Sequence, residues 1–424
     1  MAISGKKSDW SFVVAAGYNE LDFRATNDSV RPGSAGLRSL QAPINPLTAY
    51  ENAEAVLTGQ PSVEGYETTM EFWAKPTGAT VDHYTVAGIR VNSGMTGGFR
   101  ALIHNDDTVI RTASLENIAD DLIKCVGNYS AEGATGWTKY RLSTSDKTGY
   151  PSALIEVSIG DVWRKRAYLS DRSGSISTAA SGSFSFGIRN IASVGDVKSR
   201  FDDIDIFAAG LNDTSPLPFS TSFENGSWSN EYLGYQGPTS IARTIVIDSR
   251  YGALGSNSLN LTNNATGVAT AYLNLAISDG PDRRVSSFFK FIETTSAVEM
   301  SLRSVSRAST SQSSEYAISI DPSLDTVTVL RKGFTGASVS LAATALNMTA
   351  SNWYGFRFTA TDGATTNLVV DYNVTGPSSP NWINLMSTSD ASTALLGQEG
   401  MATLTIPISV SGSVRIDDFN SSKV

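Results

Sequence analysis

Along most of the chain, apolar and polar residues alternate with a period of two. Trp353, Gly355, Arg357 and Thr359 fall on one face, and Tyr354, Phe356, Phe358 and Ala360 on the other. Residues 316–321 and 326–331 read as two strands of a hairpin, with Pro322, Ser323, Leu324 and Asp325 supplying the turn chemistry. Residues 154–159 and 368–374 read as further strands. Short strands punctuated by Gly, Ser, Asn and Asp predict an all-β chain built as a sandwich or jelly roll. One segment departs from that period. Leu115, Ile118, Ala119, Leu122 and Ile123 stand at i, i+3, i+4, i+7 and i+8, which predicts one short helix over 114–124, capped by Ser114 and inserted in the first half. Cys125, just after it, reads as a buried small hydrophobe.

The pattern also repeats. Trp137, Tyr140, Arg141 and Asp146 reappear as Trp353, Phe356, Arg357 and Asp362, an offset of 216 (353 − 137). Upstream, residues 71–75 match 287–291 at the same offset. Downstream, Arg200, Asp202 and Asp203 match Arg415, Asp417 and Asp418 at 215 (415 − 200). Near the start, Gly36 to Leu40 corresponds loosely to Gly255 to Leu259. Matching blocks in one order predict two copies of a single fold. The first is expected over 1–210, with an N-terminal arm over 1–17. A linker over 211–218 carries Pro216 and Pro218, and the second copy runs over 219–424.

Composition narrows the function classes. Charged residues are 17% of the 424, against about a quarter in an average chain, and the net charge is −9. That balance opposes a duplex nucleic-acid binder and a polybasic membrane anchor, both of which need a basic face. No stretch reaches the roughly 18 apolar residues of a membrane helix. One cysteine and two histidines leave no disulfide scaffold, no cysteine-based zinc module and no serine–histidine–aspartate set. The short apolar run from Trp10 to Gly17 is broken by Ser11 and is read as an arm, not a signal peptide.

Each copy has a Gly-x-x-Ser-Leu strand and an aromatic strand. A Trp-x-x-[Tyr/Phe]-Arg strand follows, then a long hairpin ending at Trp163 or Trp382, and a terminal Arg-x-Asp-Asp strand. This block order resembles the concanavalin A-like (laminin-G-like) jelly roll, which implies a sandwich of two curved antiparallel sheets. In style the whole chain resembles virion decoration and accessory proteins of tailed bacteriophages. That resemblance implies a non-enzymatic structural protein of a virion, made in the host cytoplasm. Its partners would be capsid or tail proteins, and it would form a homo-oligomer in a symmetric assembly. The alternative is a glycan-binding adhesin for a host receptor or polysaccharide.

Candidate chemistry is sparse. A retaining glycosidase needs two carboxylates about 5 Å apart. Glu20 and Asp22 supply only half of the laminarinase-type motif, with Ala25 in place of the acid/base, so no enzyme is expected. Asp202, Asp203, Asp417 and Asp418 are candidate calcium ligands, because the laminin-G resemblance implies a cation at the sandwich rim and hard cations take several oxygens. Strand alternation sends neighbouring aspartates to opposite faces, which favours a structural role: one Asp bound to the repeated Arg141 or Arg357, or to a backbone amide. Trp137 and Trp353 are expected in the core. Trp228, Tyr232 and Tyr235 are the candidate platform for stacking a glycan; the competing reading is an opening strand packed on the final one.

Overall fold

The computed structural model describes residues 10–14, 24–26, 39–43, 52–57, 67–77, 83–92, 95–104, 110–120, 122–130, 137–146, 149–172, 174, 176, 183–190, 198–208, 216–224, 232–236, 243–248, 252–253, 255–263, 271–292, 297–307, 310–350, 352–376, 378–379, 381–407 and 412–424. The chain divides into two compact units, Met1–Ser215 with Arg307–Ser311, and Pro216–Ser306 with Gln312–Val424. Among the described residues every regular element is a strand.

The first unit contains β1 (Trp10–Val14), β2 (Arg24–Thr26), β3 (Ser39–Pro43), β4 (Asn52–Leu57), β5 (Thr68–Thr77), β6 (His83–Val91) and β7 (Phe99–His104). It continues with β8 (Ile110–Asn117), β9 (Leu122–Ser130), β10 (Thr138–Ser145), β11 (Ser152–Ile159), β12 (Val162–Ser170), β13 (Ser183–Asn190) and β14 (Lys198–Phe207). Sheet I runs β2-β3-β14-β5-β10-β11-β12, and sheet II runs β1-β4-β13-β6-β7-β8-β9. The two sheets are packed face to face, because inward residues of one meet those of the other. The Phe72 ring of β5 lies 5.4 Å from Phe186 of β13, Phe186 lies 4.8 Å from Phe201 of β14, and the Thr85 and Ser199 hydroxyls are 2.6 Å apart. Period-two alternation produces this: Met70, Phe72 and Ala74 are fully buried, whereas Glu71, Trp73 and Lys75 face outward.

The second unit contains β15 (Phe219–Thr221), β16 (Leu233–Gln236), β17 (Arg243–Asp248), β18 (Ser258–Asn263), β19 (Ala271–Leu275), β20 (Ile277–Asp279), β21 (Arg283–Phe291) and β22 (Val298–Arg307). It ends with β23 (Thr310–Asp321), β24 (Thr326–Lys332), β25 (Ser338–Ala345), β26 (Tyr354–Asp362), β27 (Thr366–Asn373), β28 (Ile383–Asp390), β29 (Met401–Ile406) and β30 (Gly412–Lys423). Its sheet I runs β17-β18-β30-β21-β26-β27-β28 and its sheet II runs β16-β19-β29-β22-β23-β24-β25. Strand for strand, this is the order of the first unit. The additions are β15, which pairs with the end of β30, and the short β20. The repeat seen in sequence is therefore a repeat of pairing order.

Hairpin turns follow local chemistry. Gly160 and Asp161 both have positive φ, 55° and 60°, and form the two-residue loop between β11 and β12. Between β23 and β24, the Asp321 carboxylate accepts from the amides of Ser323 and Leu324 and from the Ser323 hydroxyl.

Two expectations are corrected. The 114–124 segment is not a helix; it is the β8–β9 hairpin, with Leu115 opposite Cys125. Two period-two strands folded across a short turn imitate a helical stripe, since Leu115 and Cys125 point to one core while Ile118 and Leu122 flank the turn. The polar residues between them close that turn: Asn117 Oδ1 accepts from the Ala119 amide and Asp120 Oδ1 from the Leu122 amide. Trp137 and Trp353 are not core residues. Each stands one residue before its strand on the outward side and is only partly buried. Cys125 is fully buried, and that burial pushes its thiol pKa well up.

Candidate functional site

The outer face of sheet I carries a corresponding row of positions in both units, with an aspartate at one end and a tryptophan at the other. Strand register in the first unit lines up Asp202, Trp73, Lys139, Ser158 and Trp163 across β14, β5, β10, β11 and β12. In the second unit Asp417, Phe288 and Gly355 line up with Asn373, and Trp382 follows on the approach to β28. The adjoining row holds Glu71, Arg141, Glu156 and Lys165 in one unit and Ser286, Arg357, Asp371 and Asn384 in the other. At the strand spacing of about 4.8 Å, the four steps from the aspartate to the tryptophan make that row roughly 19 Å long.

The indole end of each row is a built cluster. Arg141 lies 4.0 Å over the Trp163 ring and Lys139 Nζ lies 5.3 Å from it. Glu71 joins the two cations: Lys139 donates to it at 2.7 Å and Arg141 Nη2 at 2.6 Å, and Arg141 also reaches Glu156 at 3.4 Å. Burial raises the Glu71 pKa, but hydrogen bonds from Lys139 and Arg141 outweigh it and hold the carboxyl below the usual glutamate range. In the second unit Arg357 lies 4.9 Å over Trp382 and donates to Asp371 at 2.8 Å, and the exposed Asn384 amide donates to Asp371 at 3.3 Å. Both indoles are half-exposed.

The units differ at one position in a way the packing explains. Gly355 stands where Lys139 stands in the first unit. A Cβ there would lie 2.7 Å from the Phe288 ring, which spreads across the glycine to within 5.9 Å of Trp382. The first unit offers two cations, Lys139 and Arg141, beside Trp163; the second offers one, Arg357, and a phenyl ring beside Trp382.

The opposite end of each row is closed. Asp202 is 5% exposed and Asp417 fully buried, and each sits beside a left-handed neighbour, Asp203 (φ 44°) or Asp418 (φ 48°), where the register slips. Asp202 Oδ1 accepts from the Asp203 amide. Asp417 Oδ1 accepts from the Asp418 amide and its Oδ2 from the Ala253 amide. The repeated Asp-Asp therefore caps a β-bulge through backbone amides, while Arg141 and Arg357 take Glu71, Glu156 and Asp371. Among the described residues no three His, Cys, Asp or Glu side chains are grouped to hold a metal ion.

Of the candidate platform, Trp228 lies outside the described residues, as do Glu20 and Asp22. Tyr232 is 5% exposed, with φ 66°, and its carbonyl accepts from the Ala276 amide. Tyr235 belongs to β16, opposite Leu273. The glutamates, Lys139 and Asp371 escaped the sequence reading because only strand register brings them to the repeated arginines. The signal for Trp163 and Trp382, a tryptophan ending the hairpin in each copy, was already visible.

A second charged cluster lies on the outer face of sheet II. In the first unit Arg100 pairs with Glu54 at 2.7 Å and Glu116 at 2.9 Å, and Arg189 grips Glu116 with both nitrogens at 2.9 Å. All four side chains are at most 5% exposed, and each charge is answered within the cluster. At the matching positions of the second unit the charges are reversed, Glu315 facing Lys332. These groups hold strands together, and those of the first unit offer no open surface.

No protein-family model matches the chain, and no curated protein matches it. Solved structures do. The carbohydrate binding module CBM66 from Bacillus subtilis is similar at 12% identity and TM-score 0.30, over 50% of this chain and 99% of that one. The N-terminal CBM22-1–CBM22-2 tandem domain of Paenibacillus barcinonensis Xyn10C is similar at 10% identity and TM-score 0.27, over 100% of this chain and 97% of that one. A carbohydrate esterase from the Shiga toxin-encoding bacteriophage phi24B is similar at 13% identity and TM-score 0.30, over 48% and 96%.

Proposed function

We propose that the protein is a non-catalytic glycan-binding protein with one sugar site per unit, at Trp163 in the first and Trp382 in the second. The observation that carries this reading is the duplicated cluster itself. In each unit a half-exposed indole is braced by a guanidinium, fixed in turn by Glu71 and Glu156 in the first unit and by Asp371 in the second. A rigid aromatic surface beside oriented donors and acceptors suits a ligand with apolar ring faces and many hydroxyls. Glu71, held toward ionisation by hydrogen bonds from Lys139 and Arg141, is unsuited to serve as the general acid of a glycosidase.

The test is a glycan array probed with the full chain, with and without a chelator, beside the double variant Trp163→Ala/Trp382→Ala. We expect wild-type binding to a restricted set of glycans and its loss in the variant. A wild-type protein that binds nothing, or a variant that binds as well as wild type, overturns the reading. The chelator arm decides whether calcium takes part. Carriage on a phage particle remains a separate proposal, in which this protein serves as an adhesin; finding the chain in purified particles by mass spectrometry is its test.

A further inference from the structure

We propose that two copies of the chain associate through the open edge of the second unit, with β25 of one copy antiparallel to β25 of the other. Among the described residues β25 pairs only with β24, and β28 only with β27, so both sheets end at one rim. The two strands lie against each other there. The rim is tied together by Asp390 at the end of β28, which accepts from Arg331 of β24 at 2.6 Å and from the Tyr316 hydroxyl of β23 at 2.8 Å.

An unpaired strand presents a row of free amides and carbonyls, and proteins normally guard such edges with lysine, proline or inward charges. This rim has almost no guard. The eight residues of β25 include no charged residue and no proline, and the one charge on β28, Asp390, is already bound. Most side chains of both strands are exposed or half-buried, with Val339 43% and Ile383 44% exposed. The one irregularity is a bulge at Leu341, which leaves paired runs on either side.

The occupant follows from chemistry. Antiparallel self-pairing brings identical strands together, and like charges set opposite each other are destabilising, so a neutral edge suits a second copy. The size is adequate. Eight residues at about 3.4 Å span roughly 27 Å, and two sheets about 10 Å apart with their side chains give an edge some 20 Å deep. Such a contact buries on the order of 1,100 Å² in total, at the lower limit for a stable interface. Trp382 directly precedes β28 at this rim, but the pairing is argued from the β25 backbone edge and does not rest on the glycan reading.

Sedimentation velocity of the full chain over a range of concentrations tests it. We expect a species of twice 45.0 kDa that dissociates on dilution. The variant Val339→Lys/Ala343→Lys should sediment as monomer with an unchanged far-ultraviolet spectrum, its dissociation constant raised at least about tenfold, while Val339→Thr stays dimeric. Should the lysine variant misfold, hydrogen exchange on the wild type decides: amides of 338–345 should be protected in the dimer and lose protection on dilution. A wild-type monomer at every concentration, a dimer that survives the lysines, or edge amides that exchange freely in the dimer each overturns the proposal.

Discussion

Arg141 shows how one side chain turns a strand position into a site. Its register neighbours are Glu71 and Glu156, and its guanidinium lies under Trp163. Sign and burial then set a pH dependence. Glu71 and Asp390 both have folded pKa values below the usual carboxylate range. At each, burial opposes the shift and hydrogen bonds overcome it, from Lys139 and Arg141 at Glu71, and from Arg331, Tyr316 and the Ser392 amide at Asp390. A carboxylate with a depressed folded pKa stabilises the fold above the unfolded value, about 4, and that contribution disappears as pH falls through the folded value. Urea midpoints should therefore drop as the solution is acidified through that window. We expect Glu71→Gln to be less stable than wild type at neutral pH and flatter on the acid side; a variant with the wild-type acid profile rejects this role. Cys125 gives a second residue-level test. With its thiol buried and its pKa raised, it should not react with an aromatic disulfide reagent in the native state and should give one thiol per chain in denaturant. The burial of Cys125 was legible from residue type, since a free cysteine behaves as a small hydrophobe. The partners of Arg141 were not, since residues 70 positions apart in sequence meet only through the sheet.

At the level of elements, both units use the same device to tie sheet II to sheet I. Arg90 on β6 and Arg303 on β22 sit at positive φ, 57° and 56°, within or beside a register slip. Each reaches the repeated aspartate that ends a sheet I strand: Arg90 meets Asp146 at 2.6 Å and Arg303 meets Asp362 at 2.9 Å. The aspartates were visible at an offset of 216, but the arginines stand 213 apart (303 − 90), because the slip falls at a different pleat in each copy. That is why the pair could not be read from the repeat. Arg303 is fully buried, so removing Asp362 leaves an uncompensated charge. We expect Asp362→Ala to cost about 3–5 kcal/mol, and Arg303→Leu with Asp362→Ala together to cost less than the sum of the two singles. Unfolding curves of the three variants check this, and strict additivity would refute the pairing. Where β9 passes β12, a Cβ on Gly127 would lie 2.1 Å from the Arg166 carbonyl oxygen. Gly127→Ala should therefore destabilise the first unit by at least about 1–3 kcal/mol, since backbone must move. The β8–β9 hairpin marks the limit of reading periods. An i, i+3, i+4 pattern crossed by a turn is ambiguous, and here Asn117 and Asp120 decide for the turn.

On the scale of the whole molecule, duplication makes a quantitative claim about binding. Two units with the same pairing order carry two equivalent clusters, so calorimetry with a monovalent oligosaccharide found on the array should give two sites per chain. Trp163→Ala and Trp382→Ala should each leave one site, and the double variant none; truncating a buried aromatic anchor costs about 2 kcal/mol or more. The remaining sites should differ in salt response. The first unit keeps Lys139 within 5.3 Å of the indole, whereas the second has Gly355 and a phenyl ring there. Partly exposed charges are screened over about 10 Å at 0.1 M salt. An anionic sugar on the Trp382→Ala variant, where only the first unit binds, should therefore weaken as salt rises. The same sugar on Trp163→Ala should respond much less. Equal salt slopes would show that Lys139 takes no part, and a wild type with a single site would overturn the claim of one site per unit. The scarcity of charge sharpens this test. Of a chain already only 17% charged, Arg90, Arg100, Lys124, Arg166, Arg189, Arg283 and Arg303 are buried. The partly exposed cations beside Trp163 are Lys139 and Arg141, so the salt slope of the first unit should report on these two together, and Lys139→Ala in the Trp382→Ala background should separate them.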